Sequence, residues 1–192
     1  MIAFNTLENK RVKLSLLDLT HMQELIGIAK EPELLQYSPQ RIASEEFLRD
    51  YISTAIDEFY QGISIPLIIY DKSKGKYAGS TRFGKIDQNN KVLNIGWTWI
   101  GRQFQGTGLN VNMKYLMLKY AFEELKFYKV EFRIDERNQR SRRAIEKIGA
   151  QLEGILRRNI VMSDGYRRNS CCYGIVEDEW SLIKLKLESL IH

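Results

Sequence analysis

The chain has 192 residues, 44% of them hydrophobic and 28% charged, with 29 Lys and Arg against 24 Asp and Glu and a formal net charge of +5. That size and balance fit a single soluble globular domain over residues 1–192 and exclude a disordered or fibrous chain. No apolar run reaches the roughly 18–20 residues of a membrane span, and the start MIAFNTLENK lacks the basic head and apolar core of a signal peptide, so a cytoplasmic protein with no membrane partner is expected.

Residues 11–17 (RVKLSLL) alternate polar and apolar and read as a first strand. Asp18 or Thr20 can cap a helix running to about Lys30, with Met22, Leu25, Ile26 and Ala29 on one face. Pro32 and Pro39 bracket an irregular segment. A second helix opens at Ser44, carries Phe47, Tyr51, Ile52, Ala55 and Phe59, and ends at Gly62. Residues 63–70, 76–85 and 91–100 are strands joined by the polar turns 71–75 and 87–90, an antiparallel meander. A helix follows Gly106 to about Leu125, with Leu109, Met113, Leu116, Met117 and Tyr120 as its apolar stripe. Residues 128–134 form a strand, and 138–148 a short helix stopped by Gly149. Residues 150–162 and 166–176 pair as a hairpin across Ser163, Asp164 and Gly165, and 179–191 form a last helix bearing Trp180, Ile183, Leu187 and Leu190. The strand–helix–strand in the middle needs a crossover, so the sheet is mixed and the class is α/β.

Two features limit the chemistry. Cys171 and Cys172 are adjacent, and on a strand they point to opposite faces, so they read as free thiols. The histidines are His21 and His192, and neither CxxC nor HxxxH spacing occurs. A metal site or a histidine-based nucleophile is therefore not expected. The positive charge fits either an anionic ligand or a mildly basic surface.

The stretch from Trp97 to Gly108, WTWIGRQFQGTG, leads from a strand through a loop into a helix. Free N–H groups at a helix N-terminus bind anions, and glycines let a ligand approach the backbone. Three phosphate loops compete. A P-loop needs GxxxxGK[ST], which is absent. A dinucleotide fingerprint needs a third small residue, where Leu109, Asn110 and Val111 stand, although Glu131 lies where a ribose-binding acid would be. The third pattern is Q/R-x-x-G-x-G/A, matched by Gln103, Gly106 and Gly108.

At this loop the chain resembles the Gcn5-related N-acetyltransferase (GNAT) family. Asn138 to Gly149 (NQRSRRAIEKIG) is similar to that family's N-x-x-S-x-x-A-I-x-K-x-G helix. Glu153-Gly154, the Asp164-Gly165 turn and Tyr173 with Glu179-Trp180 resemble the branch of ribosomal-protein N-terminal alanine and serine acetyltransferases. The resemblance covers nearly the whole chain. It implies the GNAT fold, a mostly antiparallel twisted sheet of about seven strands with a splayed parallel pair, flanked by helices. It also implies transfer of acetyl from acetyl-CoA to a primary amine, by direct attack in a ternary complex. The acceptor would be a protein N-terminus or a small amine, with no metal; homodimers are common in the family.

The resemblance assigns residues as well. The diphosphate would sit on amides from Gln105 to Leu109, through Gly106, Thr107 and Gly108, with Gln103 and Phe104 shaping the loop. Trp99 and Ile100 would give pantetheine a strand edge, and a backbone N–H near Ile100 would meet the oxyanion. Asn138 and Ser141 would lie near the thioester, and Arg142 and Arg143, with Arg137 and Arg140, would face the 3′-phosphate. The family's proton-donating tyrosine falls on Ile145, which leaves Ser141 as the candidate proton donor. No carboxylate occupies residues 94–99 or 159–161, where relatives place a base, and Glu153 is the remaining candidate. A non-catalytic acyl-CoA-binding protein of the same fold is the alternative. Nucleic acid is not an expected partner, because Glu131, Asp135, Glu136, Glu146 and Glu153 interrupt the basic run.

Overall fold

A computed structural model describes residues 4–40 and 42–191. Met1 to Ala3, Arg41 and His192 lie outside the described residues, and with them the start of the segment read for a signal peptide. The strands are β1 (Leu7–Glu8), β2 (Val12–Leu16), β3 (Ile65–Asp71), β4 (Lys76–Asp87), β5 (Val92–Ile100), β6 (Lys129–Asp135), β7 (Gln151–Val161) and β8 (Arg167–Val176). The helices are α1 (Met22–Ala29), α2 (Glu45–Tyr60), α3 (Leu109–Lys119), α4 (Gln139–Lys147) and α5 (Glu177–Glu188). One sheet runs in the order β1-β2-β3-β4-β5-β6-β8-β7, antiparallel except for the β5–β6 pair. The mixed α/β class is as the element order implies, and the splayed parallel pair is as the family resemblance implies. The strand count is eight rather than about seven, because Leu7–Glu8 pairs with β2 in a stretch too short to show a period.

Local chemistry sets these elements. Ser44 caps α2, its hydroxyl accepting from the Phe47 amide at 3.3 Å. Asp71 closes the β3–β4 turn by accepting from the amides of Ser73 and Lys74, and Arg11 bonds its other oxygen at 3.0 Å. The helix expected to run to Leu125 leaves α-geometry after Lys119 and finishes as a π turn over Tyr120–Glu124. Two apolar layers sandwich the sheet. Leu14, Phe83, Ile95 and Phe132 pack toward α3 and α5 on one face. Ile68 and Trp99 pack toward α1 and α2 on the other. Among the described residues no helix is long and apolar enough to cross a membrane.

Two irregularities open the middle of the sheet. β5 and β6 pair only through Val92 to Asn94 with Lys129 to Glu131, so their later halves have no ladder between them. β5 also carries a bulge against β4: Arg82 pairs with Gly96 and Ser80 with Trp99, so Trp97 and Thr98 together oppose Thr81. Trp97 takes φ 50°, the left-handed region that a bulky side chain rarely adopts.

Candidate active site

The gap between β5 and β6 is a cavity of about 440 Å³. Its floor is β5 from Asn94 to Ile100, its far wall Phe132 to Asp135 of β6, and its roof the segment from Leu34 to Gln40 between α1 and α2. Phe104, Gln105, Gly106 and Asn110 close the end toward α3, and Asn138, Ser141, Ala144 and Ile145 line the side from α4. A second cavity of about 510 Å³ adjoins it, edged by Arg102, Arg137 and Arg140, and shares Leu34, Tyr37, Gln105, Asn138 and Arg140 with the first.

The loop at the α3 end is open. Gly106 and Gly108 take φ 72° and 84°, and a Cβ on either would meet nothing within 4 Å. No hydrogen bond among the described residues uses the amides of Gly106, Thr107, Gly108, Leu109 or Asn110. They are the orphan donors of a helix start, where the helix dipole favours an anion. Cations surround them. Arg11 donates to Thr107 Oγ1 at 3.1 Å, Lys74 donates to the Gln103 carbonyl at 2.6 Å, and Arg140 donates to Gln105 Oε1.

The strand half of the cleft is shaped by the bulge. One extra residue on β5 inverts the alternation beyond Gly96. Trp97 and Trp99 therefore face α1 and α2, sharing one face as the sequence implies. Trp99 packs on Tyr51, and Arg82 lies between the Tyr51 and Trp97 rings. Thr98 turns toward α3, where Lys114 donates to its Oγ1 at 3.1 Å. Lys114 is 3% exposed, and burial pushes its pKa down to about 7.

The remaining expected residues fall into three places. Trp99, Ile100, Phe104, Gln105, Gly106, Asn138 and Ser141 line the cleft. Asn138 caps α4 by accepting from the Ser141 amide at 3.1 Å, which points that helix start at the cavity. The Ile100 carbonyl is already taken by Gln105 Nε2 at 2.7 Å, so Gln105 rather than Gln103 braces the loop from inside. Gln103 contributes its carbonyl to Lys74, Thr107 bonds the Phe104 carbonyl, and the Leu109 side chain is buried in the core.

Arg142 faces away from the cleft: it donates to Tyr173 Oη at 3.0 Å, and Tyr173 donates to Glu146 at 2.6 Å, tying α4 to β8. Arg143 is exposed and lines neither cavity, whereas Arg140 lines both. Arg137 is held by Asp135 at 2.8 Å and stacks 3.8 Å from the Tyr166 ring centroid. Glu153 lies outside the cavity. Its carboxylate pairs with Lys129 at 2.9 Å, beside Gly174 of β8, so its placement does not suit a base. Asp135 is the carboxylate that does line the cleft. Burial alone would raise its pKa, but hydrogen bonds from Arg137 hold it below the usual range, leaving an ion committed to its partner.

The sequence reading missed Arg11, Lys74, Thr98 and Lys114. A signal for Lys114 exists: it stands three, four and seven residues before the buried Met117, Leu118 and Ala121, on the stripe that a helix buries. Arg11 and Lys74 lie far from the loop in sequence, and only folding brings them to it.

A family model described as an acetyltransferase (GNAT) domain matches residues 11–151. Bacillus subtilis (strain 168) YdaF, whose name proposes a ribosomal N-acetyltransferase, is 30% identical over 113 residues, which is 59% of this chain and 59% of that protein. The chain thus spans about three-fifths of the length of that relative. A solved structure from T. thermophilus, for which acetyltransferase activity is proposed, is 31% identical, covers 100% of both chains and gives a TM-score of 0.89. Mycobacterium smegmatis RimJ in complex with CoA-disulfide, at 18% identity, covers 96% of this chain and 94% of its own, with a TM-score of 0.85, a likeness of fold.

Proposed function

The chain belongs to the GNAT acetyltransferase family, and on that premise we propose that it is an acetyl-CoA-dependent N-acetyltransferase acting on a primary amine. The observation that carries this reading is the continuity of the glycine loop with the splayed strand. Five amides at the start of α3 bond no other described residue, and two of these residues, Gly106 and Asn110, line the same cavity that runs along the unpaired edge of β5. A pyrophosphate fits the first and an extended amide-bearing arm fits the second.

In this reading the diphosphate rests on the amides from Gly106 to Asn110, with Arg11, Lys74 and Arg140 supplying positive charge. The 3′-phosphate lies toward Arg140 and the second cavity. The pantetheine arm bonds the β6-facing edge of β5 beyond Asn94. Ser141 and Asn138 stand beside the thioester, with the Ser141 hydroxyl as proton donor to the departing sulfur. A backbone N–H near Ile100 meets the oxyanion. The amine enters from the other end of the cavity, beneath the Leu34 to Gln40 roof and against Trp97 and Tyr51. A protein N-terminus is the favoured acceptor. An α-amino group has a pKa of about 8 and needs less help to lose its proton than a lysine at about 10.4.

The test is thiol release from acetyl-CoA across a panel of N-terminal peptides and small amines, beside a calorimetric titration with CoA. Release that depends on a particular amine is the expected result. Firm CoA binding with no amine-dependent release would instead establish a non-catalytic acyl-CoA-binding protein.

A further inference from the structure

The acetyl-transfer reading leaves the amine's proton without an acceptor. Among the described residues that line the cleft the carboxylate is Asp135, and it is bound to Arg137. What the cleft holds instead is a hydroxyl joined to a buried amine. The β5 bulge sets Thr98 on the α3 face, yet the side chain stays exposed, because β6 has splayed away from it. Its Oγ1 lies 3.1 Å from Lys114 Nζ, 2.7 Å from Thr81 Oγ1 and 3.3 Å from the Gly96 carbonyl.

Lys114 has an unusual setting for a lysine. It makes no ion pair among the described residues, and its Nζ sits 5.9 Å from the centroid of the Phe132 ring of β6. Lys85, Arg133, Asp135, Arg140 and Arg168 share the cavity, as do the Tyr37 and Tyr51 phenols, and none of them bonds Lys114. Burial by itself therefore lowers its pKa to about 7, so that the neutral form is well populated at neutral pH and dominates above it.

We propose that Thr98 and Lys114 form the proton relay of this transferase, Thr98 meeting the acceptor amine in the cleft and Lys114 holding the proton behind it. The proposal rests on the acetyl-transfer reading. As the amine nitrogen bonds the carbonyl carbon, it sheds a proton to Thr98 Oγ1, which turns its own hydroxyl proton from the Gly96 carbonyl to the lone pair of neutral Lys114 Nζ, 3.1 Å away. The C–S bond breaks with its electron pair on sulfur. Sulfur takes a proton from the Ser141 hydroxyl, which recovers one from water. The relay returns its proton to water through the exposed Oγ1, so the sum is one proton moved from nitrogen to sulfur. Thr98 is then the catalytic residue, and Lys114, acting through it, is the positioning residue that sets its basicity.

The experiment compares wild type with Lys114→Met, Thr98→Val and Thr98→Ser. Three quantities are read: the pH profile of kcat/KM for thiol release, CoA affinity by calorimetry, and the titration of the Lys114 ε-carbon by NMR in the CoA-bound protein. The wild-type profile should fall on the acid side of about pH 7, and the ε-carbon should titrate there. Lys114→Met and Thr98→Val should lose that limb and roughly 100-fold in rate with CoA affinity kept, and Thr98→Ser should recover much of the loss. An ε-carbon titrating in the ordinary lysine range, or a limb that survives in Lys114→Met, overturns the relay while leaving acetyl transfer standing. Wild type that binds CoA yet releases no thiol with any amine overturns the transfer reading and the relay with it. Should Lys114→Met fail to fold, Thr98→Val decides alone, since that side chain is exposed and a strand accepts valine readily.

Discussion

Lys114 shows how one buried side chain links stability to chemistry. Its pKa is near 10.4 in the unfolded chain and about 7 in the fold. Between those values the unfolded state binds more protons, so stability rises with pH from about 7 to about 10, and the cost of burial is fully present below about 7. Lys114→Met removes that cost. Its thermal midpoint should exceed wild type at and below neutral pH, with the gap closing as pH approaches 10, in melts across a pH series. Gly108 carries a separate prediction. At φ 84° an alanine costs about 1–2 kcal/mol of backbone strain, and its methyl would enter the open space before the free amides. Gly108→Ala should lower stability by that amount in urea titrations and weaken CoA binding in calorimetry. Stability lost with CoA affinity unchanged would detach the loop from the cofactor.

At the scale of elements, the site depends on where helices start and strands slip. Asn138 caps α4 and fixes the backbone that carries Ser141. Asn138→Ala should cost about 1 kcal/mol in denaturant unfolding, and, on the proposed placement of the thioester beside Ser141, should lower kcat more than it weakens CoA binding. The β5 bulge matters in a different way. Without it, Thr98 would face α1 and α2, Trp97 would face α3, and neither the Arg82 sandwich nor the contact to Lys114 would form. Periodicity from 91 to 100 identifies the strand, yet it carries no mark of an extra residue. A bulge is a property of the pairing with β4.

At the scale of the molecule, the sheet continues from β1 to β7 without a break, and α3 packs against β1, β2 and α5. The chain should therefore unfold as one unit. Urea transitions followed by tryptophan fluorescence and by far-UV circular dichroism should coincide, since Trp97 and Trp99 report the centre of the sheet and Trp180 the α5 layer. Two separated transitions would divide the chain into domains. The splayed pair is itself a large-scale feature. Two parallel strands held together only at Val92 to Asn94 leave backbone unpaired, and an extended ligand is the kind of partner that satisfies it.

The sequence by itself determined the order of elements, the mixed sheet, the glycine loop and the N-x-x-S helix start. Each of these is written in neighbouring residues: apolar period, turn chemistry, caps and short motifs. The tertiary structure decided which groups share the cleft. It brought Arg11 and Lys74 to the loop, turned Arg142 onto Tyr173 and left Arg140 at the mouth, and carried Glu153 to Lys129. It also buried Lys114 behind Thr98. These outcomes depend on strand register and on burial by elements distant in the chain. Both are set by how the sheet closes, and no local window of sequence records them.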